Sequence, residues 1–283
     1  MRLALLSILI ITLAAGSLSA QELTGTLHQI DKSGKIKIGY RELLPPLSFE
    51  TKDGQPVGYS IDLCSEIVSE VEKNIGRDIT VEYVPVLAAD RFAALAGGKI
   101  DILCGASTKT ISRSKIVDFT QLTFATGATF MALEKTKIKN NFDGKKIGVT
   151  EGSTTTEALR KLLEETAVKA EIVPMKSSKE AFNALNKGKI DAFASDQVVL
   201  IGLAFISGHP ESYTVFSDLF TYEPLALAVR KNDSDFRLVA DSVISNLCRT
   251  GEIFNIYDKW FGQFAKQRSA AFDALIQINK IPE

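Results

Sequence analysis

The chain has 283 residues, and its 33 Lys and Arg against 34 Asp and Glu give a formal net charge of −1 at pH 7. A chain so close to neutral argues against nucleic acid or an anionic membrane surface as its partner, because both are bound through basic patches. The two histidines, His28 and His209, lie far in sequence from the cysteines, so a Cys/His metal site is not expected. We predict neither a metal nor another cofactor.

The N-terminal segment is typical of a secretory signal peptide. Arg2 is followed by a mostly apolar run at 3–15 and by small residues at 16–20. The run is shorter than the ~20 residues that span a membrane, and Ser17 stands where a lipoprotein signal would carry cysteine. We therefore expect residues 1–20 to be cleaved from a secreted, periplasmic protein, with a membrane anchor as the alternative.

The remainder of the chain alternates between strand and helix patterns. The first half predicts a strand at 36–40, a helix at 61–75 ending at Gly76, a strand at 79–83, a helix at 91–97 and a strand at 100–104. The second half predicts capping boxes at 154–157 and 177–180, strands at 190–194 and 225–229, and helices at 236–247 and before Gly262. Such alternation builds parallel sheets covered by helices.

An internal repeat divides the chain into two similar halves. The sequence ALAGGKID at 94–101 recurs as ALNKGKID at 184–191, and GKIKIG at 34–39 is echoed by GKKIG at 144–148. In both copies a helical pattern stops at glycine and an apolar strand follows. The two matches fall at equivalent places in the strand–helix order, which predicts two similar α/β lobes.

The last sixty or so residues are too few for a third domain of the same kind, so we expect them to complete the first lobe. This assigns 21–131 and 224–283 to lobe 1 and 132–223 to lobe 2. The chain would then cross twice between the lobes and form a two-strand hinge.

The three cysteines are Cys64, Cys104 and Cys248. The number is odd, and a chain of this size can be stable without disulfides. We expect buried thiols that pack as small hydrophobic side chains, with a Cys64–Cys104 bridge as the alternative in an oxidising compartment.

Polar residues follow the carboxyl ends of four predicted strands, where open α/β sheets bind ligands. The candidate binding residues are Arg41, Arg91, Ala106, Thr108, Arg113, Ser153, Thr154 and Asp196. A guanidinium and free backbone N–H groups suit a carboxylate, while a carboxylate and a hydroxyl suit an ammonium. Two further arginines in the same cleft would repel each other unless they faced a second carboxylate. An acidic α-amino acid fits this set.

Each of these residues also has a structural interpretation. Arginines at strand ends are commonly solvated surface charges, and Ser153, Thr154 and Asp196 could cap helices. Asp101 and Asp191 begin strands at the end away from the cleft, and we interpret them as structural.

At this point the sequence resembles the bacterial extracellular solute-binding proteins of polar amino-acid ABC transporters, and among them the glutamate/aspartate-binding members. The segments that carry the resemblance are GKIKIGYRELLPPLSF (34–49), VGYSIDLCSEI (57–67), GKIDILCGASTKTISRSKIVDF (98–119), GKKIGVTEGSTTTE (144–157) and GEIFNIYDKWFG (251–262). The resemblance implies a two-lobed periplasmic-binding-protein fold that closes on its ligand, a transporter permease as partner, and a monomer.

The resemblance also implies residue roles. Thr108, Arg113 and the Ser153–Thr154 region would hold the α-carboxylate, Asp196 the α-amino group, and Arg41 with Arg91 the side-chain carboxylate. Three positions differ from the pattern that it implies: Ala106 could act only through its backbone, and Ala88 and Ser178 replace a serine and a histidine. A dicarboxylate or another anionic ligand therefore stays open.

Two functions other than solute binding are compatible with the same fold. A dehydratase-like enzyme of the same fold would also use two arginines, but it needs a general acid or base, for which only Glu151 and Asp196 are candidates. A ligand-presenting component of a sensor is the second alternative. We expect a binding protein and not an enzyme.

Overall fold

The computed structural model of the protein describes residues 23–138, 141–264 and 268–282, so the predicted signal peptide lies outside the described residues. The helices are α1 (Gly25–Ser33), α2 (Tyr59–Ile75), α3 (Arg91–Ala96), α4 (Thr154–Thr166), α5 (Ser178–Asn186), α6 (Gln197–Ile206), α7 (Ser234–Thr250), α8 (Glu252–Phe261) and α9 (Ala270–Asn279). Over the described ranges, none of the helices is both long and apolar enough to span a bilayer.

The strands of the two main sheets come from both halves of the chain. They are β1 (Lys35–Tyr40), β5 (Thr80–Pro85), β6 (Ile102–Leu103), β7 (Val117–Thr126), β8 (Ala128–Leu133), β9 (Lys146–Thr150), β10 (Glu171–Met175), β11 (Ala192–Asp196), β12 (Tyr213–Val215) and β13 (Glu223–Arg230). Three short strands, β2 (Leu43–Leu44), β3 (Ser48–Glu50) and β4 (Pro56–Val57), form a small antiparallel sheet that the sequence did not predict.

The first sheet has the order β5-β1-β6-β13-β7 and the second β10-β9-β11-β8-β12. In each, the strands of the predicted strand–helix repeat are parallel, and the strands beside the crossings are antiparallel. The parallel pairing predicted for the repeat is therefore present, and the antiparallel strands are an addition that the sequence did not predict. The reason is that β13 and β8 enter their sheets directly from the other lobe and not through a crossover helix.

The chain passes from the first sheet to the second at Gly127, between β7 and β8. A Cβ atom at Gly127 would lie 2.3 Å from the carbonyl oxygen of Thr221, so the outgoing and returning segments run side by side. The Thr221 hydroxyl also accepts a hydrogen bond of 2.7 Å from the Ala128 amide. The boundary placed at residue 131 falls inside β8, whose pairings all lie in the second sheet.

The sequence repeat corresponds to repeated geometry at the starts of the two sheets. A Cβ atom at Gly39 would lie 2.3 Å from Cδ1 of Ile100, and one at Gly148 would lie 2.4 Å from Cδ1 of Ile190. Each glycine therefore lets a strand pass beneath the equivalent isoleucine of the repeat. The match supports a common fold for the two halves.

Asp101 and Asp191 occupy equivalent structural positions, as predicted. Each carboxylate accepts a hydrogen bond of 2.8 Å from the amide of a residue at the start of the neighbouring strand, Lys37 and Lys146 respectively. Asp101 also forms an ion pair of 3.0 Å with Arg230. Both carboxylates lie at the amino ends of the strands, away from the candidate cleft.

Helix ends follow the predictions in part. Gly76 ends α2 in the left-handed conformation, with φ 78°, as expected of a glycine C-cap. Ser177 caps α5 by accepting a hydrogen bond from the Glu180 amide at 3.2 Å. The capping box predicted at 154–157 is wrong: Ser153 is the N-cap of α4, and its hydroxyl donates to the Thr150 carbonyl at 2.7 Å instead of capping the helix.

Cys64 on α2 and Cys104 after β6 form a disulfide, with their Cα atoms 6.4 Å apart. The expectation of free buried thiols is therefore wrong for this pair and correct for Cys248, which is buried and free. The bridge is the alternative named from the sequence, which could not decide between the two because the pairing depends on how closely α2 packs against the end of β6.

The last part of the chain is anchored to the first lobe through aromatic side chains. Phe261 at the end of α8 is 2 % exposed and stacks on Phe124 of β7 with ring centroids 5.0 Å apart. The indole N–H of Trp260 donates to Asp62 of α2 at 2.7 Å. The helix α9, which the sequence did not predict, packs Phe272 against the same aromatic group.

Candidate functional site

A cavity lies between the two sheets, at the carboxyl ends of strands from both. All eight residues predicted as binding residues line it, namely Arg41, Arg91, Ala106, Thr108, Arg113, Ser153, Thr154 and Asp196. The other described lining residues are Leu44, Ala88, Thr150, Thr155, Ser178 and Ser195. The geometry therefore brings the predicted set together, in the place where open α/β sheets bind ligands.

Arg41 follows β1 directly and is 6 % exposed, so it is not a solvated surface charge. Its backbone amide is held by the Ser48 hydroxyl at 3.0 Å. Among the residues that the structure describes, we find no hydrogen bond or ion pair to its guanidinium, which borders the cavity. A buried cation without a partner is costly, and natural proteins keep one mainly where a ligand supplies the missing anion.

Arg91, the first residue of α3, is 3 % exposed. Its Nε donates to the Ser107 hydroxyl at 3.2 Å, and its Nη1 donates to the carbonyl oxygens of Ala88 and, at 3.3 Å, of Gly152. Each of these partners is neutral. The guanidinium is thus held in a fixed position while its charge stays without a hydrogen-bonded carboxylate.

Arg113 is held in a similar way. Its Nη1 donates to the Thr108 carbonyl at 2.9 Å and its Nη2 to the Gly152 carbonyl at 3.2 Å. The centroid of the Phe92 ring lies 4.4 Å from the Arg91 guanidinium carbon and 5.2 Å from that of Arg113, so both cations interact with the same aromatic ring.

Burial is the largest influence on the pKa of each of these arginines. Burial lowers the pKa of Arg41 to about 10. Burial also lowers the pKa of Arg91, and the positive charges of Arg113 and Arg41 lower it further. Burial likewise lowers the pKa of Arg113. Burial thus disfavours all three positive charges and lowers each pKa, while the charge of Asp196 opposes this effect at each arginine.

Asp196 ends β11 and is the N-cap residue of α6, but its side chain makes no cap hydrogen bond. The structural interpretation of Asp196 as a helix cap is therefore wrong. Burial raises the pKa of Asp196 to about 7, and the charge of Glu223 raises it as well, against the opposing effect of the cavity arginines. The carboxylate is available to a ligand group that would stabilise its charged form.

The N-terminus of α4 faces the cavity through Ser153, Thr154 and Thr155. The first backbone N–H groups of a helix have no partner inside the helix, and they carry the positive end of its dipole. Because the Ser153 hydroxyl is turned to the Thr150 carbonyl, these N–H groups are not capped by it. This helix end is suited to bind an anion.

Glu223 is a carboxylate near the cavity that the sequence analysis missed. It begins β13, is 1 % exposed, and accepts hydrogen bonds from the Thr108 hydroxyl and, at 2.7 Å, from the Thr154 hydroxyl. The sequence placed a crossing at this residue but had no means of directing its side chain towards the cleft.

The two sides of the cavity are in contact, so the structure is a closed form. A Cβ atom at Gly152 would lie 2.7 Å from Cα of Ala89 on the opposite side. The hydroxyl oxygens of Thr108 and Thr154 are 3.4 Å apart. A ligand in this cavity would be enclosed by groups from both sheets.

The charge pattern indicates what kind of ligand fits. The buried arginines Arg41 and Arg91 and the half-buried Arg113 are accompanied by two carboxyl groups, those of Asp196 and Glu223, which leaves an excess of positive charge. Within 23–138, 141–264 and 268–282, no group of three or more His, Cys, Asp or Glu side chains is placed to hold a metal ion. The arrangement can bind an anion that also carries a hydrogen-bond-donating cationic group.

Residues 36–263 match the family of bacterial extracellular solute-binding proteins, family 3. The chain belongs to this family. An L-glutamate/L-aspartate-binding protein of Pseudomonas aeruginosa is 33% identical over 259 residues, which is 90% of this chain and 86% of that protein. A glutamate/aspartate import solute-binding protein of Escherichia coli K12 is 30% identical over 262 residues, 90% of this chain and 87% of that protein.

Solved structures of amino-acid-binding proteins have a similar fold. The ancestral amino acid-binding protein AncCDT-1, described as a precursor of cyclohexadienyl dehydratase, has a TM-score of 0.72 and 30% identity, covering 84% of this chain and 100% of that chain. The two-lobed α/β architecture predicted from the sequence is thereby confirmed for this solute-binding protein.

Proposed function

We propose that this solute-binding protein captures an acidic α-amino acid, glutamate or aspartate, in the cavity between its lobes and delivers it to an ABC transporter. The observation that carries the proposal is the Arg41 guanidinium, which is 6 % exposed and borders the cavity. It has no hydrogen-bond or ion-pair partner among the residues that the structure describes. A ligand carboxylate would be both a hydrogen-bond acceptor and an ion-pair partner for this guanidinium.

The net charge of the site supports an acidic ligand over a neutral one. The site has three arginines, Arg41, Arg91 and Arg113, against the two carboxyl groups of Asp196 and Glu223, so it carries at least one excess positive charge. Glutamate and aspartate carry one net negative charge at neutral pH, whereas glutamine carries none. An acidic amino acid therefore neutralises the buried site, and a neutral one leaves a buried charge uncompensated.

Each group of the ligand has a proposed place. Arg113, the α4 N-terminus at Ser153–Thr154 and the backbone at Thr108 hold the α-carboxylate. Asp196 and the Thr108 hydroxyl hold the α-ammonium, and Ala106 contributes through its backbone. Arg41 and Arg91 hold the side-chain carboxylate. These roles follow the positions of the charges around the cavity and the resemblance found in the sequence.

The biological setting is part of the same proposal. Relatives named as glutamate/aspartate-binding proteins, one of them an import component, support uptake through a transporter permease. We propose a periplasmic monomer, released after cleavage of residues 1–20, whose lobes hinge near Gly127 and Glu223. The strand pairing supports a hinge at these residues, because the chain changes sheets at both.

Calorimetric titration tests the proposal. The protein is unfolded and refolded to remove any bound ligand, then titrated with L-glutamate, L-aspartate, L-glutamine, L-arginine and succinate. The expected result is tight binding of glutamate or aspartate, with glutamine weaker by at least about 100-fold, because the buried arginines would lack their anion. Binding of succinate alone would contradict the amino-acid proposal. Chemical turnover of a bound dicarboxylate would show an enzyme instead.

A further inference from the structure

Glu223 is a buried carboxylate to which neither the fold nor the proposed ligand contacts assign a role. It is the first residue of β13, opposite Thr126 at the end of β7, where the chain re-enters the first sheet. Its side chain is 1 % exposed. Ionised groups are rarely buried to this extent unless specific hydrogen bonds compensate them.

The hydrogen bonds of Glu223 come from two hydroxyl groups on opposite sides of the cavity. Its Oε2 accepts from Thr108 in the loop after β6 and, at 2.7 Å, from Thr154 at the start of α4. A carboxylate can only accept, and a threonine hydroxyl has a single proton to donate. Both hydroxyl protons are therefore committed to Glu223.

The hydrogen bonds to Glu223 determine which hydrogen bonds the two hydroxyl groups can form with a ligand. Each Oγ1 has lone pairs left and no proton, so towards the cavity it can accept a hydrogen bond but cannot donate one. A ligand carboxylate would find no donor here, whereas an ammonium with its N–H groups would find acceptors.

We propose that Glu223 is a positioning residue that makes the Thr108 and Thr154 hydroxyls obligate acceptors and thereby selects an ammonium at this end of the cavity. The inference rests on the proposed function, since it concerns how an α-amino acid is oriented. The ammonium would lie beside Asp196 and Glu223, the two carboxylates near the cavity. Thr154 would then meet the ligand carboxylate through its backbone N–H and not through its hydroxyl.

The loop that carries Thr108 is held in register with Glu223 by the backbone. The Lys109 amide donates to the Pro224 carbonyl at 2.8 Å, and the Ala226 amide donates to the Ser107 carbonyl at 3.0 Å. These bonds flank Thr108 and fix it against the start of β13. The contact between Glu223 and Thr108 therefore does not depend on a flexible surface side chain.

Electrostatics supports the same orientation. The charge of Glu223 is among the causes that raise the pKa of Asp196, so the two carboxylates are close enough to repel each other. A ligand ammonium between them would relieve that repulsion, whereas a ligand carboxylate would increase it.

A double-mutant cycle on L-glutamate affinity tests the inference. The four proteins are the wild type, Glu223→Gln, Thr108→Val and the double variant, each titrated by calorimetry. The amide of Glu223→Gln can itself donate to a threonine oxygen, which competes with the ammonium for the lone pairs. We expect each single variant to bind glutamate about 10-fold to 100-fold more weakly. The double variant should lose less affinity than the product of the two single losses, because Glu223 then acts only through the remaining Thr154 hydroxyl.

Glu151→Gln is the matched control, because Glu151 is an exposed carboxylate beside the cleft and the substitution removes the same charge. It should leave glutamate affinity unchanged. If the effects of Glu223→Gln and Thr108→Val multiply, or if Glu223→Gln has no effect, the positioning role is wrong. If Glu223→Gln does not fold, Glu223→Asp, whose shorter side chain cannot reach both hydroxyls, takes its place in the cycle. Failure of the wild type to bind any amino acid would instead contradict the proposed function.

Discussion

The carbonyl oxygen of Gly152 accepts hydrogen bonds from Arg91 at 3.3 Å across the cavity. Arg113 donates to the same oxygen at 3.2 Å. The oxygen belongs to the segment between β9 and α4, while both arginines belong to the first sheet's side of the cleft. The backbone of one lobe thus contacts two ligand-facing cations of the other, which couples closure to the position of the arginines.

Closure depends on the absence of a side chain at Gly152. In the Gly152→Ala protein, the new Cβ would lie 2.7 Å from Cα of Ala89, so the lobes could not approach as closely. We expect glutamate affinity to fall about 10-fold or more, because the ligand would no longer be enclosed from both sides. Calorimetric titration measures the loss, and small-angle scattering should show that ligand no longer compacts the protein.

Gly188→Ala is the control for the backbone strain that Gly152→Ala introduces. Gly152 and Gly188 both have positive φ, 72° and 65°, but a Cβ at Gly188 would meet nothing within 4 Å. Both variants should lose about 1 kcal/mol of stability from the left-handed backbone. Only Gly152→Ala should lose affinity. Equal affinity losses in the two variants would contradict a steric effect on closure.

Arg41→Met should lower glutamate affinity and raise the free energy of unfolding. The guanidinium is desolvated and unpaired among the described residues, so replacing it with an apolar side chain of similar length should raise the free energy of unfolding of the ligand-free protein by about 1–2 kcal/mol. Glutamate affinity should fall about 100-fold, since the side-chain carboxylate would lose a charged partner. Chemical denaturation without ligand and calorimetry measure the two quantities.

Arg160→Met is the control for Arg41→Met. Arg160 lies on the exposed face of α4 and pairs with Glu157 one helical turn away. Its replacement should leave affinity unchanged and stability within about 0.5 kcal/mol. A stability loss in Arg41→Met as large as in a core substitution would show that the arginine is structural.

Glutamate affinity should depend on pH through Asp196. In the ligand-free protein burial raises the pKa of this carboxyl to about 7, above its value of 3.8 in the unfolded chain, so its contribution to stability falls as pH rises between these values. A bound ammonium would stabilise the carboxylate and lower that pKa. Below pH 7, binding should therefore release a proton and weaken by up to about tenfold per pH unit.

Calorimetry from about pH 5 to about pH 8, in buffers of different ionisation enthalpy, measures both the affinity and the released proton. The Asp196→Asn protein should bind more weakly at every pH and lose most of this dependence. If the dependence persists in Asp196→Asn, another group is responsible.

The disulfide should contribute substantially to stability. Cys64 and Cys104 are 40 residues apart in sequence, and closing a loop of that size is worth about 3–4 kcal/mol. Replacing both with alanine should lower the denaturation midpoint accordingly. Cys248, whose pKa burial raises to about 11, should react with thiol reagents only after unfolding. Rapid labelling of Cys248 in the folded protein would contradict its buried position.

The repeat, the two α/β halves and the groups at the strand ends could be predicted from the sequence because they depend on local periodicity and on a general rule of sheet topology. Arg41 and Asp196 could be predicted because they stand at the carboxyl ends of strands, and Arg113 because it lies in the polar segment that follows the strand at 100–104. Gly39 and Gly148 were visible as part of the repeat, although their contacts with Ile100 and Ile190 were not.

Only the tertiary structure decided the features that depend on distance across the chain. The Cys64–Cys104 pairing, the direction of the Glu223 side chain and the burial of Arg41 all arise where segments far apart in sequence are packed together. Periodicity reports which face of an element is apolar, but it carries no information on which distant group a polar side chain will meet. The compensation of each buried charge is therefore a property of the closed, folded molecule and not of any segment of its sequence.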